Sequence, residues 1–120
     1  MEKTTDITTR EDIELLVRNF YAEVLTDELL APKFSHINME EHFPTMFDFW
    51  ASMLLYDQSY QGNPFAKHID LDLKPEHFKR WLQIFNKTVD DLFTGKIAND
   101  AKTRANSIAG IFQHKLGLSV

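Results

Sequence analysis

The stretch Tyr60-Gln61-Gly62-Asn63-Pro64-Phe65-Ala66-Lys67-His68-Ile69-Asp70-Leu71 contains the side chain best placed to do chemistry, the imidazole of His68. Gly62, Asn63 and Pro64 are breakers in succession, so no regular helix runs through them and the backbone must turn. The turn delivers His68 on a short helical piece between Phe65 and Leu71. An imidazole held this way suits a metal ligand, because the turn sets where the ring points and apolar neighbours keep water from the metal. We read His68 as the ligand of an iron. A lone histidine after a turn is more often an ordinary, partly exposed residue, so the reading depends on what the rest of the chain places around it.

Three further side chains combine an apolar body with a hydrogen-bonding tip: Tyr21, His42 and Trp81, each on an otherwise apolar helical face. A buried tyrosine or tryptophan needs a partner for its O–H or N–H, whether a nearby carbonyl or a ligand. Other schemes fail on spacing. There is no His-Glu-x-x-His zinc helix, and none of the five histidines follows a glutamate by three positions, as a di-iron bundle requires. Glycine-rich phosphate loops and the Gly-x-Ser-x-Gly elbow are also missing. With no cysteine, disulfides, thiolate zinc sites and iron-sulfur clusters are excluded. One placed histidine, an aromatic-rich helical core and three polar-tipped aromatics together fit a haem pocket.

The elements that must position these groups are helices. Thr8-x-x-Glu11 reads as a capping box, after which Ile13, Leu16, Val17, Phe20, Tyr21, Val24 and Leu25 form one stripe at helical spacing. Asp27 to Leu30 continue this helix or begin a short one, Pro32 breaks the pattern, and residues 31 to 41 read as a connection containing His36. Pro44 marks a helix start or a kink beside His42, and Phe43, Met46, Phe47, Trp50, Met53 and Leu54 share one broad face. Pro75-Glu76 opens the most strongly patterned helix, carrying Phe78, Trp81, Leu82, Phe85, Val89 and Leu92, and Gly95 ends it. Asn99 or Asp100 caps a last helix with Ala101, Ala105, Ile108, Ala109, Phe112 and Leu116 inward and Gly117 as its stop. No alternating strand pattern or internal repeat is present.

Composition sets the outer limits. A chain of 120 residues fits one domain with a real core, here residues 10–120 behind a flexible polar N-terminus, residues 1–9. Ten Phe, two Trp and three Tyr are many flat side chains for such a domain unless something flat and apolar packs among them. The net charge of -5, with Lys and Arg scattered singly, offers no basic stripe for nucleic acid. No stretch has the length to span a membrane or the form of a signal peptide, so the expected location is the cytoplasm.

The sequence resembles the truncated haemoglobins, specifically group III of that bacterial globin family. The resemblance is carried by Phe20-Tyr21, Phe34, His42, Phe49-Trp50-Ala51-Ser52-Met53-Leu54, Tyr60-x-Gly62-x-Pro64, His68-x-x-Leu71 and His77-Phe78-x-x-Trp81-Leu82-x-x-Phe85, and spans roughly residues 10–116. The lack of a Gly-Gly pair agrees with group III; Asp72, where many members have proline, is a small departure confined to the linker. What the resemblance implies is an all-α truncated globin fold, a two-over-two helical sandwich around haem b (iron protoporphyrin IX). His68 would be the proximal iron ligand, Phe34 would pack on the haem, and Tyr21, His42 and Trp81 would form the distal donor set. Met46, Trp50, Tyr60 and Phe78 would complete the cofactor pocket, and Lys67 would approach a propionate.

The function so implied is binding of oxygen, nitric oxide or carbon monoxide by a monomer or weak dimer. Nitric oxide dioxygenase or peroxidase-like turnover would need an external reductase, so enzyme status stays open. The competing readings are a cofactor-free helical interaction module, which would leave the polar set opposite His68 as coincidence, and a haem-based gas sensor, which needs an output domain or partner.

Overall fold

The computed structural model describes residues 5–34, 38–56 and 74–115. The described residues form five helices, α1 (Arg10–Val24), α2 (Ala31–Phe34), α3 (Met39–Leu55), α4 (Pro75–Leu92) and α5 (Lys96–Lys115), with no strand beyond an isolated bridge between Thr5 and Phe93. Helix α1 packs on α3 and α4, α4 packs on α5, and α3 reaches α5. Two pairs, α1 with α3 and α4 with α5, thus make the two-over-two arrangement. Among the described residues no helix is long and apolar enough to cross a membrane.

Helix α1 begins one residue later than the Thr8 pattern suggests. Thr9 Oγ1 accepts from Asp12 N at 3.2 Å, while the Asp12 carboxylate accepts from the amides of Thr8 at 2.9 Å and Thr9 at 3.1 Å. One carboxylate collecting two amides closes the box around Thr9 and Asp12, leaving Glu11 outside it. Ile13, Leu16, Val17, Phe20, Tyr21 and Val24 are buried as the stripe requires, but Leu25 is 40% exposed because the helix has ended.

Asp27 then turns the chain by accepting from the amides of Leu29 and Leu30, both at 3.0 Å. Leu30 is thereby buried, and a single helical turn follows. Pro32 lies inside that turn, where a missing N–H costs nothing, so it does not interrupt structure as expected. Helix α3 starts at Asn38, whose side chain caps Glu41 N, and runs through both His42 and Pro44.

Residues 5–9 pack against the fold although residues 1–9 are mostly polar. Ile7 is fully buried, Thr94 N donates to Thr5 O at 3.1 Å, and the Asp6 carboxylate accepts from Ile97 N at 2.9 Å and Ala98 N at 2.8 Å. Asp6 therefore caps α5, which begins at Lys96, ahead of the Asn99 or Asp100 start read from local sequence. Gly95, expected to end the preceding helix, instead lies at φ +141 beside this cap after an extended Phe93.

The core centres on Phe20 and Phe85, at 1% and 0% exposure. Full burial of one such side chain contributes on the order of 1.5–3 kcal/mol. Ala98, Ala101, Ala105 and Ala109 line the buried side of α5 and let it approach α4 closely. The ion pairs at the helix edges, Arg10 with Asp48 and Lys102 with Asp90, are partly exposed and contribute at most about 1 kcal/mol each.

Candidate functional site

Where α1 crosses α4, six aromatic side chains gather. Phe20 stands edge-on to Tyr21, Trp81 and Phe85, with ring centroids 4.8, 5.5 and 5.1 Å away. Trp81 lies parallel to Phe85 at 5.7 Å and 13°, and Trp50 of α3 covers Phe85 at 4.9 Å and 20°. Phe34 on α2 presents its edge to Tyr21 at 6.0 Å. Such offset and edge arrangements suit the ring quadrupoles and fix ring orientations.

Within this apolar frame sits one polar pair. Tyr21 and Trp81 flank the same Phe20 ring, and the indole N–H acts on the Tyr21 phenol against the effect of burial. Burial pushes the Tyr21 phenol up to about 12, with the Trp81 bond acting in the opposite direction. An oxygen that accepts the indole proton keeps its own O–H to donate, and desolvation holds that proton on the oxygen. The pair is thus a neutral donor at physiological pH.

The other predicted site residues fall as follows. His42 is half-buried on α3 one turn before Met46, itself half-buried, and Trp50 is 5% exposed on the same helix. Phe78 is buried near the start of α4, but in a separate cluster with Ala109 and Phe112 of α5. Tyr60 and His68, with Lys67 and the whole turn around them, lie outside the described residues, as do His36, Leu116 and Gly117.

Some contributors carried no separate signal. Phe20 and Phe85 read simply as stripe residues, although Phe85 is the ring that both indoles stack on. His77 is buried and accepts the Lys74 amide at Nδ1, 2.9 Å away, closing the first turn of α4 that bears Phe78 and Trp81. Its hint in sequence was its place in the run His77-Phe78-x-x-Trp81; that its side chain reaches back to the helix cap is seen only in the structure.

A macrocycle such as haem needs flat apolar walls and, on the ligand-binding side, a donor kept dry. Tyr21, Trp81, Phe34 and Trp50 supply both: aromatic faces and a buried, neutral phenol beside a half-buried indole. The donor set therefore fits haem.

Comparison with known proteins agrees with this architecture. Residues 5–113 match the family model described as bacterial-like globin. The group 3 truncated hemoglobin ctb of Campylobacter jejuni is 34% identical over 114 residues, covering 89% of this chain and 90% of that protein. The crystal structure of group III truncated hemoglobin from Campylobacter jejuni superposes with a TM-score of 0.86 at 31% identity, covering 95% of each chain.

Proposed function

This chain belongs to the bacterial-like globin family, and from that premise we propose that it binds haem b through His68 and takes up oxygen in a pocket lined by Tyr21, His42 and Trp81. As a globin it is a haem protein for gas ligands; the assignment of residues, of haem b and of the reaction is our reading. One observation carries it: the aromatic cluster at the crossing of α1 and α4, in which the buried Tyr21 and the half-buried Trp81 both stand edge-on to Phe20, with ring centroids 4.8 and 5.5 Å away.

When bound, haem supplies an iron that takes a diatomic ligand and shifts negative charge onto it. The residues of the chain do the rest. The Tyr21 hydroxyl donates to that charge, and a donor already oriented in a dry pocket needs no reorganisation to do so. Trp81 orients the phenol by donating to its oxygen. Phe34 and Trp50 exclude water, which would otherwise compete for the same proton. His42, half-buried on α3, would gate ligand entry or hydrogen-bond the ligand. Met46 would add to the walls, and the family resemblance implies the same role for Tyr60 and Phe78.

A pocket rich in donors also favours oxygen activation. Conversion of nitric oxide or peroxide would need electrons from an external reductase, so enzyme status stays open. The visible absorption spectrum, ferric and then dithionite-reduced, tests the proposal for wild type and His68→Ala. A haem Soret band that is lost or strongly altered in the variant is the expected result. A wild-type protein that takes up no added haem would overturn it.

A further inference from the structure

Helix α3 carries a proline in its interior, and one arginine of α1 touches residues on both sides of it. Pro44 has no N–H to give to the carbonyl of Glu40, and its ring crowds that carbonyl, so the turn before it joins the rest of the helix through a weakened ladder. That turn, residues 39–43, bears His42. Its start is held by long bonds: Glu41 N donates to the Asn38 side chain at 3.4 Å and to Asn38 O at 3.2 Å, and His42 N donates to Asn38 O at 3.3 Å. A helix end of this kind opens locally unless a group outside the helix holds it.

Arg18 supplies the hold. Its guanidinium carbon sits over the ring of Phe43 at 4.8 Å and over that of Phe47 at 5.4 Å, and the two rings stack on each other at 5.7 Å and 13°. Phe43 precedes Pro44 and Phe47 follows it, both buried, so a single cation spans the break. Arg18 also pairs with Glu40 of the first turn at 3.7 Å, a largely exposed contact that adds little alone. Beyond the break, Asp48 pairs with Arg10. The two parts of α3 are thus fastened to α1 by different arginines.

We propose that Arg18 is a positioning residue for His42: by bridging the break at Pro44 it keeps the first turn of α3 docked on α1, and release of that turn, hinged at Pro44, admits the gas ligand. The inference rests on the distal role proposed for His42 above. A cation over two rings is a weak, reversible hold, so the turn opens by thermal motion and closes again, as a gate must.

Hydrogen exchange on the haem-loaded full chain tests the clasp, and carbon monoxide rebinding after flash photolysis tests its consequence. Arg18→Met keeps an apolar stem and loses the charge; exchange in residues 39–43 should rise about 10-fold while residues 48–55 change little. Arg18→Lys, still a cation, should restore most of the protection. Pro44→Ala returns the missing N–H at an exposed position, so exchange there should slow, and adding Arg18→Met should then have little effect. Carbon monoxide should enter several-fold faster in Arg18→Met, but no faster in Arg18→Met with His42→Ala than in His42→Ala alone. Pro44→Ala keeps the proposal open to refutation where Arg18→Met folds poorly. Unchanged exchange in residues 39–43 of Arg18→Met, unslowed exchange in Pro44→Ala, an increase spread evenly over α1 and α3, or a rebinding effect that adds to that of His42→Ala overturns the proposal, while a normal Soret band leaves the haem reading intact. Absence of haem uptake overturns both.

Discussion

A Cβ on Gly95 would stand 2.5 Å from Cγ of Asp6. The two residues meet because Asp6 reaches across the fold to cap α5, and only a residue without a side chain leaves room for the carboxylate. Gly95 also holds φ +141, a conformation that other residues adopt under strain. Gly95→Ala should therefore cost about 1–3 kcal/mol, and Asp6→Ala, which frees two helix amides, about 1 kcal/mol. Urea denaturation checks both, as a lower midpoint with an unchanged slope.

The same carboxylate sets an acid limit. Burial acts to raise Asp6, but the amides of Ile97, Ala98 and Ile7 outweigh it and hold the group below its ordinary value of 3.8; Asp12 is lowered in the same way by Thr8 and Thr9. A depressed folded-state pKa means stability that is present above the unfolded value and lost as pH falls through the folded one. The stability gap between wild type and Asp6→Asn should accordingly be constant near neutrality and shrink below about pH 4. Denaturation midpoints measured down the acid range check this, and a gap independent of pH would show that the carboxylate charge plays no part.

Oxygen kinetics address the Tyr21–Trp81 pair. A hydrogen bond to a charged acceptor contributes about 1.5–3 kcal/mol, so Tyr21→Phe should raise the oxygen dissociation rate roughly 10- to 100-fold. Trp81→Phe should raise it less, since the phenol remains but loses the donor that orients it. Carbon monoxide, which carries less charge, should respond weakly to both. Flash photolysis and stopped-flow exchange supply the rates; oxygen release unchanged in both variants would remove Tyr21 and Trp81 from the ligand site.

The pattern of stripes carried most of the helix layout. Phe78, Phe85 and Val89 on α4, and Ala101, Ala105 and Ala109 on α5, are buried where their spacing put them. Local reading failed where a distant group decided the outcome. The start of α5 depends on Asp6, 91 residues earlier than Ile97, and no window around Asn99 contains that information. Leu25 fits the stripe of α1 by spacing, yet the helix stops one residue short of it. At the site, sequence placed Tyr21 and Trp81 on apolar faces but could not say that the two meet around the ring of Phe20, because that depends on how α1 crosses α4.

Tyr21 should also mark the alkaline limit of the fold. Burial raises its pKa from 10.0 to about 12, so between those values the unfolded chain releases a proton that the folded chain retains. Stability from this group is thus fully present below about pH 10 and is lost as pH rises toward 12, a loss on the order of 2 kcal/mol for a fully buried phenol. Tyr21→Phe removes the titrating group, so its stability should fall less steeply over that range even though it is the less stable protein at neutral pH. Denaturation midpoints from pH 8 upward, with tyrosinate absorbance recorded alongside, measure both. If the two proteins lost stability in parallel through this window, Tyr21 would be titrating like an exposed phenol, and a dry donor in the pocket would be ruled out with it.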